Sequence, residues 1–363
     1  MKKITIIALY YLLTLLTAGV MILLAQDRGQ ENGSFYEKGL HNTNRGLEYW
    51  YSKEHGGEEP ASQIPISKLQ CRGCHAPTCD TCHMKVIKGK PIYSKDVPEA
   101  VCVKCHGGED GLDFSRKNPE SKLADVHIAK GMGCMDCHSA REMHGDGTAY
   151  ESSGALGATD TTCEKCHDPT RLPQCGIAIH KGKLDCAACH VRTIPSRGGY
   201  QTVSYQLGIF ITQNKFVAIP LNNVAWLMNH RNQQGQEKVT LGNVINEVDE
   251  DRALTIFEAG GFSHGIVNEG RKCGDCHGTV VVQAMKAGTF TPVVWEKGRA
   301  KNATGVIPVL DGYEWNLPWL RYVSGQWAPF EKPANPMLTF RQYSRPLTQE
   351  QFNKLVVPES PKP

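Results

Sequence analysis

Residues 71–83 read Cys71-Arg-Gly-Cys74-His75-Ala-Pro-Thr-Cys79-Asp-Thr-Cys82-His83, which is two CxxCH units separated by only three residues. Five more units of the same form occur further along the chain. The seven cysteine pairs are Cys71 and Cys74, Cys79 and Cys82, Cys102 and Cys105, Cys134 and Cys137, Cys163 and Cys166, Cys186 and Cys189, and Cys273 and Cys276. The histidines that follow them are His75, His83, His106, His138, His167, His190 and His277.

The spacing within each unit suits the covalent attachment of haem. Two thiols three positions apart lie on one face of a helical turn, where they can add to the two vinyl groups of one porphyrin. The next residue is a histidine that can bind the iron. CxxC also occurs in zinc and redox sites, but neither accounts for a histidine after all seven pairs. The sequence therefore predicts seven covalently bound haem c groups.

The density of the units bears on the fold class. Six of them fall within residues 71–190, which leaves about 20 residues for each. That is too little chain to build a side-chain core around every site, so the porphyrins are expected to form the core. We therefore expect a multihaem cytochrome c fold with mostly irregular chain and short α-helices around a haem-packed core, and with a small β element.

Charge and composition exclude two other classes of protein. The chain has 40 Lys and Arg against 37 Asp and Glu, a formal net charge of +3, which is too balanced for a nucleic-acid-binding protein. The propionates of seven haems would make the holoprotein acidic. Six Trp residues and many aliphatic side chains argue against a disordered chain.

Histidines outside the units are candidates for the second axial ligand of each iron. There are seven of them, equal in number to the units: His41, His55, His127, His144, His180, His230 and His264. His127, His180 and His264 each stand a few residues before a CxxCH unit, across a short basic link, which favours them as ligands. His55 and His230 lie in polar loops that also host ordinary solvated histidines. If all seven serve, every iron is bis-histidine and low-spin.

Cys175 is the fifteenth cysteine and belongs to no unit. It is interpreted as a free or partly buried thiol, with an intermolecular disulfide or an unusual haem attachment as alternatives.

Residues 1–26 are predicted to be an export segment. Lys2 and Lys3 precede an uncharged apolar run, Ile4–Ala25, whose 22 residues would reach roughly 33 Å as a helix, enough to cross a bilayer. An uncleaved anchor and a signal peptide cleaved after Ala25 both remain open. The rest of the chain is expected on the periplasmic side of the inner membrane if anchored, and in the periplasm or outside the cell if released.

The CxxCH units divide the rest of the chain into five segments. They are an N-terminal segment with a distal-histidine candidate at 27–70, a dense six-haem segment at 71–190, a haem-free and partly β insertion at 191–272, the seventh unit at 273–277 and a haem-free C-terminal segment at 278–363.

The insertion and the C-terminal segment lack haem units. In the insertion, Tyr205–Ile219 and Val224–Asn229 are predicted strands, and Asn232–Gln236 is a predicted connecting turn. The C-terminal segment has no Cys and no His and is expected to cover porphyrin edges or to dock a partner.

Several stretches resemble the exported octahaem-type cytochromes of anaerobic electron-transfer chains. The stretches are His41-Asn-Thr-Asn-Arg-Gly-Leu-Glu-Tyr-Trp-Tyr, Val126-His127-Ile-Ala-Lys-Gly-Met-Gly-Cys134, Ala140-Arg-Glu-Met-His144-Gly-Asp-Gly, His180-Lys-Gly-Lys-Leu-Asp-Cys186 and Gly270-Arg-Lys-Cys273. Those that end in a cysteine continue into the CxxCH unit that this cysteine begins. The resemblance spans most of residues 40–345 and implies a multihaem c-type cytochrome. Such proteins often carry a further CxxCH shortly after the position of His190, where this chain has Pro195-Ser-Arg-Gly-Gly-Tyr200.

Coordination of the iron decides between an electron carrier and an enzyme. A carrier needs both axial positions filled, whereas a reductase needs one open position for its substrate. The chain has no CxxCK motif, and its spare histidines suffice to close every site. We expect an electron conductor of anaerobic respiration or extracellular electron transfer, whereas a reductase of a nitrogen or sulfur oxyanion and a filament-forming cytochrome are the alternatives. Expected partners are a membrane quinol-oxidising complex, other multihaem cytochromes or further copies of the chain, with membrane contact through the N-terminus and no nucleic acid.

Overall fold

The computed structural model covers all seven CxxCH histidines and the main β-sheet. The residues it describes are 35–69, 75–106, 125–169, 171, 180–191, 203–206, 209–212, 224–248, 252–259, 264–297, 299–315, 320–323, 326–329 and 335–357. The predicted export segment Ile4–Ala25, the first cysteine pair Cys71 and Cys74, and Cys175 lie outside the described residues.

A six-stranded mixed sheet dominates the second half of the chain. Its centre is an antiparallel meander of β5 (Val224–Arg231), β6 (Glu237–Val248) and β7 (Arg252–Ala259). On the outer edges β10 (Gly305–Pro308) pairs parallel with β5, and β13 (Asn335–Phe340) pairs parallel with β7. The short strand β14 (Ser344–Arg345) also pairs with β5, in antiparallel orientation.

Residues 224–236 behave as the sequence predicts. The expected strand Val224–Asn229 is confirmed within β5. The expected turn comes after it, where the Asn232 side chain accepts hydrogen bonds from the backbone N–H groups of Gln234 and Gln236 at 3.1 and 2.9 Å. This side-chain-to-backbone bonding is how Asn favours a turn over a continued strand. The other expected strand, Tyr205–Ile219, is not one continuous strand, since its described parts belong to two strands that pair with each other as a hairpin.

The sheet has its own apolar core. Met228 and Ile307 are fully buried, and Trp226 packs edge-on against Phe257 with ring centroids 5.6 Å apart. Val282 contributes to the same cluster from the helix Val280–Lys286. Burying such side chains contributes about 1.5–3 kcal/mol each, so this part of the chain is stabilised by side-chain packing.

The expected fold class is therefore wrong. Mostly irregular chain around a haem-packed core, with only a small β element, does not describe a protein with a six-stranded mixed sheet and a continuous side-chain core. The reason is that the argument from about 20 residues per unit applies to residues 71–190 alone. Residues 224–347 carry enough alternating apolar positions to fold around side chains, and the chain is a mixed α and β protein.

Short elements make up the rest of the described chain. The helices are α1 (Arg45–Tyr51), α2 (Glu59–Ser62), α3 (Asp80–His83), α4 (Glu99–His106), α5 (Val126–Ala129), α6 (Cys134–Cys137), α7 (Ala140–His144), α8 (Cys186–His190), α9 (Val280–Lys286) and α10 (Gln349–Val356). Single 3-10 turns occur at Lys53–His55, Ile66–Lys68, Cys163–Lys165 and Cys273–Asp275. Four two-stranded hairpins pair β1 (Met84–Ile87) with β2 (Lys90–Tyr93), β3 (Val203–Gln206) with β4 (Ile209–Thr212), β8 (Val293–Glu296) with β9 (Arg299–Asn302), and β11 (Leu320–Val323) with β12 (Gln326–Pro329).

A buried charge cluster joins the N-terminal segment to the sheet. Arg341 is fully buried, with its guanidinium 2.7 Å from Glu58 and 3.3 Å from Glu258. The same guanidinium lies 3.8 Å over the Trp50 ring, whose Nε1 donates to Glu258 at 2.9 Å. Two carboxylates and an aromatic face thus compensate one buried cation.

Replacing Arg341 by Met should destabilise the protein strongly, because it leaves the carboxylates of Glu58 and Glu258 without their cation. Removing one partner of a buried ion pair costs about 3–5 kcal/mol. Denaturant unfolding followed by far-UV circular dichroism measures the change. Lys301→Met, which removes an exposed charge 3.9 Å from Glu296, is the control and should leave the midpoint unchanged. An unchanged midpoint for Arg341→Met would contradict the assigned role of the cluster.

Candidate functional site

Five of the spare histidines lie opposite five CxxCH histidines. The pairs, with the distances between ring centroids, are His41 and His106 at 6.1 Å, His144 and His83 at 5.9 Å, His127 and His167 at 5.9 Å, His264 and His138 at 6.3 Å, and His180 and His277 at 6.0 Å. No CxxCH histidine is used twice. In every pair the partner comes from a different segment of the chain.

The common distance fits a single metal ion between two imidazoles. Metal–imidazole bonds are about 2 Å long, and a ring nitrogen lies about 1.1 Å from the ring centre given ring bonds near 1.33 Å. Two rings on opposite sides of one metal ion would therefore have centroids about 6.2 Å apart. The observed 5.9–6.3 Å agrees closely. The residues present thus fit the axial ligation of haem at five positions.

Among the described residues, no group of three or more His, Cys, Asp or Glu side chains could by itself hold a metal ion. Such a group is needed only where the protein supplies every ligand of the metal. A haem supplies the four equatorial nitrogens, so the protein would provide at most two axial ligands. A facing pair of imidazoles is an arrangement that can supply both.

Hydrogen bonds at Nδ1 fix how several of these rings are oriented. His83, His190 and His277 place Nδ1 at 2.7, 3.1 and 2.8 Å from the backbone carbonyls of Ser94, Val267 and Lys354. Because a carbonyl oxygen only accepts, Nδ1 carries the proton in each ring. Nε2 then keeps its lone pair, which is the tautomer that binds a metal.

Two other rings make the same kind of bond to a carboxylate. His138 places Nδ1 2.7 Å from Glu142, which follows it by four residues. His127 places Nδ1 3.1 Å from Asp125, the N-cap residue of α5. Sequence reasoning missed both carboxylates, although their spacing of four and two residues from a candidate ligand was a readable signal.

His55 and His230, the other two candidate ligands, do not lie opposite a CxxCH histidine. The His55 ring stacks on Tyr49 with centroids 3.6 Å apart, and its Nδ1 is 2.7 Å from the Ser52 hydroxyl. His230 is buried in β5, and burial lowers its pKa to about 4, so this imidazole is neutral. All fourteen histidines are among the described residues, and neither of these two rings contacts a CxxCH histidine.

Thiols of consecutive units lie next to each other. Burial, and then the nearby thiols of Cys102 and Cys105, raise the pKa of Cys82. Burial and the neighbouring Cys102 raise the pKa of Cys134 to about 11. The second, third and fourth units therefore adjoin in the order in which they occur in the sequence.

The same order continues through the later units. Burial and then Cys166 raise the pKa of Cys137, which joins the fourth unit to the fifth. A hydrogen bond between the thiols of Cys163 and Cys186 raises the pKa of Cys163 and lowers that of Cys186.

Burial raises the pKa of Cys276 to about 11, and the nearby Cys189 adds to the shift. From unit two to unit seven, each unit thus has a thiol near a thiol of the next unit, and we call this series the row. The twelve described CxxCH cysteines are all free thiols, as attachment of a porphyrin requires.

No family model, curated protein or solved structure matches this chain. In the described part of the chain, no helix is both long enough and apolar enough to span a membrane.

If the unit of His138 holds haem, replacing His264 by Ala should leave its iron without a second imidazole, because His264 is the ring opposite His138. We expect one haem of the oxidised protein to become high-spin, as seen by electron paramagnetic resonance. His55→Ala is the matched control, since His55 packs on Tyr49, and it should leave the spectrum unchanged. A low-spin spectrum in His264→Ala, or a high-spin signal in the control, would contradict the pairing.

Proposed function

We propose that this chain is an exported multihaem c-type cytochrome that conducts electrons along a row of haems. The observation that carries the proposal is the set of five facing histidine pairs with centroids 5.9–6.3 Å apart. When bound, haem c supplies an iron centre that gains or loses one electron. The resemblance to exported octahaem-type cytochromes points to the same class of protein, within anaerobic respiration or extracellular electron transfer.

Each set of residues has a separate task in this proposal. The paired cysteines would hold the porphyrins, the CxxCH histidines would bind the irons, and His41, His127, His144, His180 and His264 would supply the second imidazole at five of them. Two imidazoles on one iron keep the coordination unchanged between oxidation states, which suits a carrier. The row formed by units two to seven supports conduction, because it brings the attachment sites of successive units together.

Partners and location belong to the same proposal. Redox proteins would supply and accept the electrons, such as a membrane quinol-oxidising complex, other multihaem cytochromes or further copies of this chain. Residues 1–26 would place the protein at the periplasmic side of the inner membrane or, if cleaved, free in the periplasm or outside the cell.

A second candidate function is a reductase with one open haem. The observation in its favour concerns His190, which no other histidine ring faces among the fourteen, all of which are described. Its Nδ1 is held by the Val267 carbonyl, so the ring is oriented for metal binding. An iron at this unit that lacks a sixth protein ligand would admit a nitrogen or sulfur oxyanion.

Expression in a host that matures c-type cytochromes tests the proposal directly. The intact mass should exceed that of the polypeptide by seven haems, because all seven units are complete. Cys186→Ala should weaken attachment at one haem, whereas Cys175→Ala, outside any unit, should retain seven. A wild-type protein that matures without covalent haem would overturn the proposed function.

Spin state and ligand binding separate the two candidates. For a conductor, the oxidised protein lacks a stoichiometric high-spin signal and the reduced protein does not bind carbon monoxide rapidly. One high-spin haem, with turnover of nitrite, hydroxylamine or tetrathionate, would favour the reductase. The signal should then disappear when the unit of His190 is disabled by Cys186→Ala.

A further inference from the structure

The carboxylates of Glu142 and Asp125 are buried beside the rings of two candidate axial ligands. Their side chains are only 3% and 4% exposed. His138 lies opposite His264, and His127 lies opposite His167. The carboxylates therefore adjoin the fourth and fifth haem units, whose Cys137 and Cys166 are neighbours.

Glu142 is held in place by donors on both oxygens. Oε2 accepts from His138 Nδ1 at 2.7 Å. Oε1 accepts from the backbone N–H groups of Asp160 and Thr161 at 2.6 and 2.8 Å, and from the Thr161 hydroxyl at 2.8 Å. Four donors around one carboxyl group match an ionised carboxylate, which only accepts.

One other carboxyl group adjoins Glu142. The Asp160 side chain accepts from the Ser139 hydroxyl at 2.9 Å, and its other oxygen lies 3.3 Å from Lys165. Arg141 lies 3.8 Å from that same oxygen. Two cations thus balance Asp160 and leave the Glu142 carboxylate to His138.

Asp125 is fixed in a similar way. Oδ1 accepts from the His127 backbone N–H at 2.8 Å as well as from the His127 ring, and Oδ2 accepts from Ile266 N at 2.8 Å. Ile266 follows His264 by two residues. Asp125 therefore links the segment of one candidate ligand to the segment of another, at two adjacent haem units.

A carboxylate and a carbonyl affect a metal-bound imidazole differently. Both accept the Nδ1 proton, but the carboxylate adds a negative charge and makes the imidazole a stronger donor to the metal. A stronger donor stabilises the ferric state and lowers the reduction potential. His83, His190 and His277 are bonded to carbonyls instead.

We propose that Glu142 and Asp125 lower the reduction potentials of the haems at the Cys134–His138 and Cys163–His167 units below those at the units of His83, His190 and His277. This inference rests on the proposed function, since it needs haem at both units. Glu142 and Asp125 act through His138 and His127 and are positioning residues.

Glu142→Gln is the most direct test, because it changes the group that faces His138 with little change in side-chain size. The amide retains an oxygen for Asp160 and Thr161, but it presents an N–H group to His138 in place of an acceptor. A spectroelectrochemical titration of the holoprotein should show one haem shifted to a more positive potential than in the wild type. The low-spin ferric paramagnetic resonance of one haem should shift with it.

Asp136→Asn is the matched control. Asp136 belongs to the same haem unit and is exposed, and its carboxylate accepts from Gly133 N at 2.7 Å rather than from an imidazole. It removes the same charge near the same haem, so a purely long-range effect of charge would shift both variants equally. The proposal requires the shift in Glu142→Gln to be clearly larger.

Asp125→Asn makes an independent test at the neighbouring unit and should shift one further haem. If Glu142→Gln does not accumulate as holoprotein, Asp125→Asn alone decides the inference. Seven haems with wild-type potentials in these variants would overturn it and leave the proposed function standing. Failure of the wild type to bind haem would overturn the proposed function first, so the two failures are distinguishable.

Discussion

Two imidazole rings held about 6 Å apart, on segments remote in sequence, are the constraint on which the rest of this structure depends. A CxxCH unit is a local feature that needs only one helical turn. The tertiary fold must place the facing ring, and its distance from the first ring must lie within the narrow range that two metal–nitrogen bonds would allow. Capped short helices carry several of the candidate ligand rings: Asp125 caps the helix that contains His127, Ser139 the helix that ends at His144, and Asp185 the helix that ends at His190.

The sheet provides the rigid part of the molecule. Its strands are packed with large apolar side chains, and the haem units contact it through the backbone. Asp185 N donates to Val239 O in β6 at 2.9 Å, immediately before the sixth unit begins. The Nδ1 of His277 bonds to the Lys354 carbonyl in α10, which packs in the same core through Leu355. Units six and seven are thus attached to a side-chain core, and unit five also contacts the sheet, where Lys238 of β6 lies 3.5 Å from Glu164.

Local features could be predicted from the sequence, and remote pairings could not. The strand at 224–229 and the turn after it were readable, because a short apolar run and the Asn chemistry that follows it are local signals. The full sheet was missed because β10 and β13 are short, come from a segment rich in Pro, Gly and Trp, and pair in parallel with strands far away in the chain. The seven candidate partner histidines could be named from their number, but their assignment to particular units depends on tertiary contacts. The roles of Glu142 and Asp125 also depend on burial, which a sequence does not show.

The facing histidines come from segments far apart in the sequence, and this has a consequence for how the protein is assembled. A polypeptide emerges from its N-terminus, and early segments fold before later ones exist. If the chain binds haem as proposed, His83 would be present long before His144, and His138 long before His264, so a unit could receive its porphyrin before its facing ring is available. Each such iron would then keep one side exposed until the later segment docks. An unfinished site of this kind could capture a wrong ligand that the finished fold would exclude.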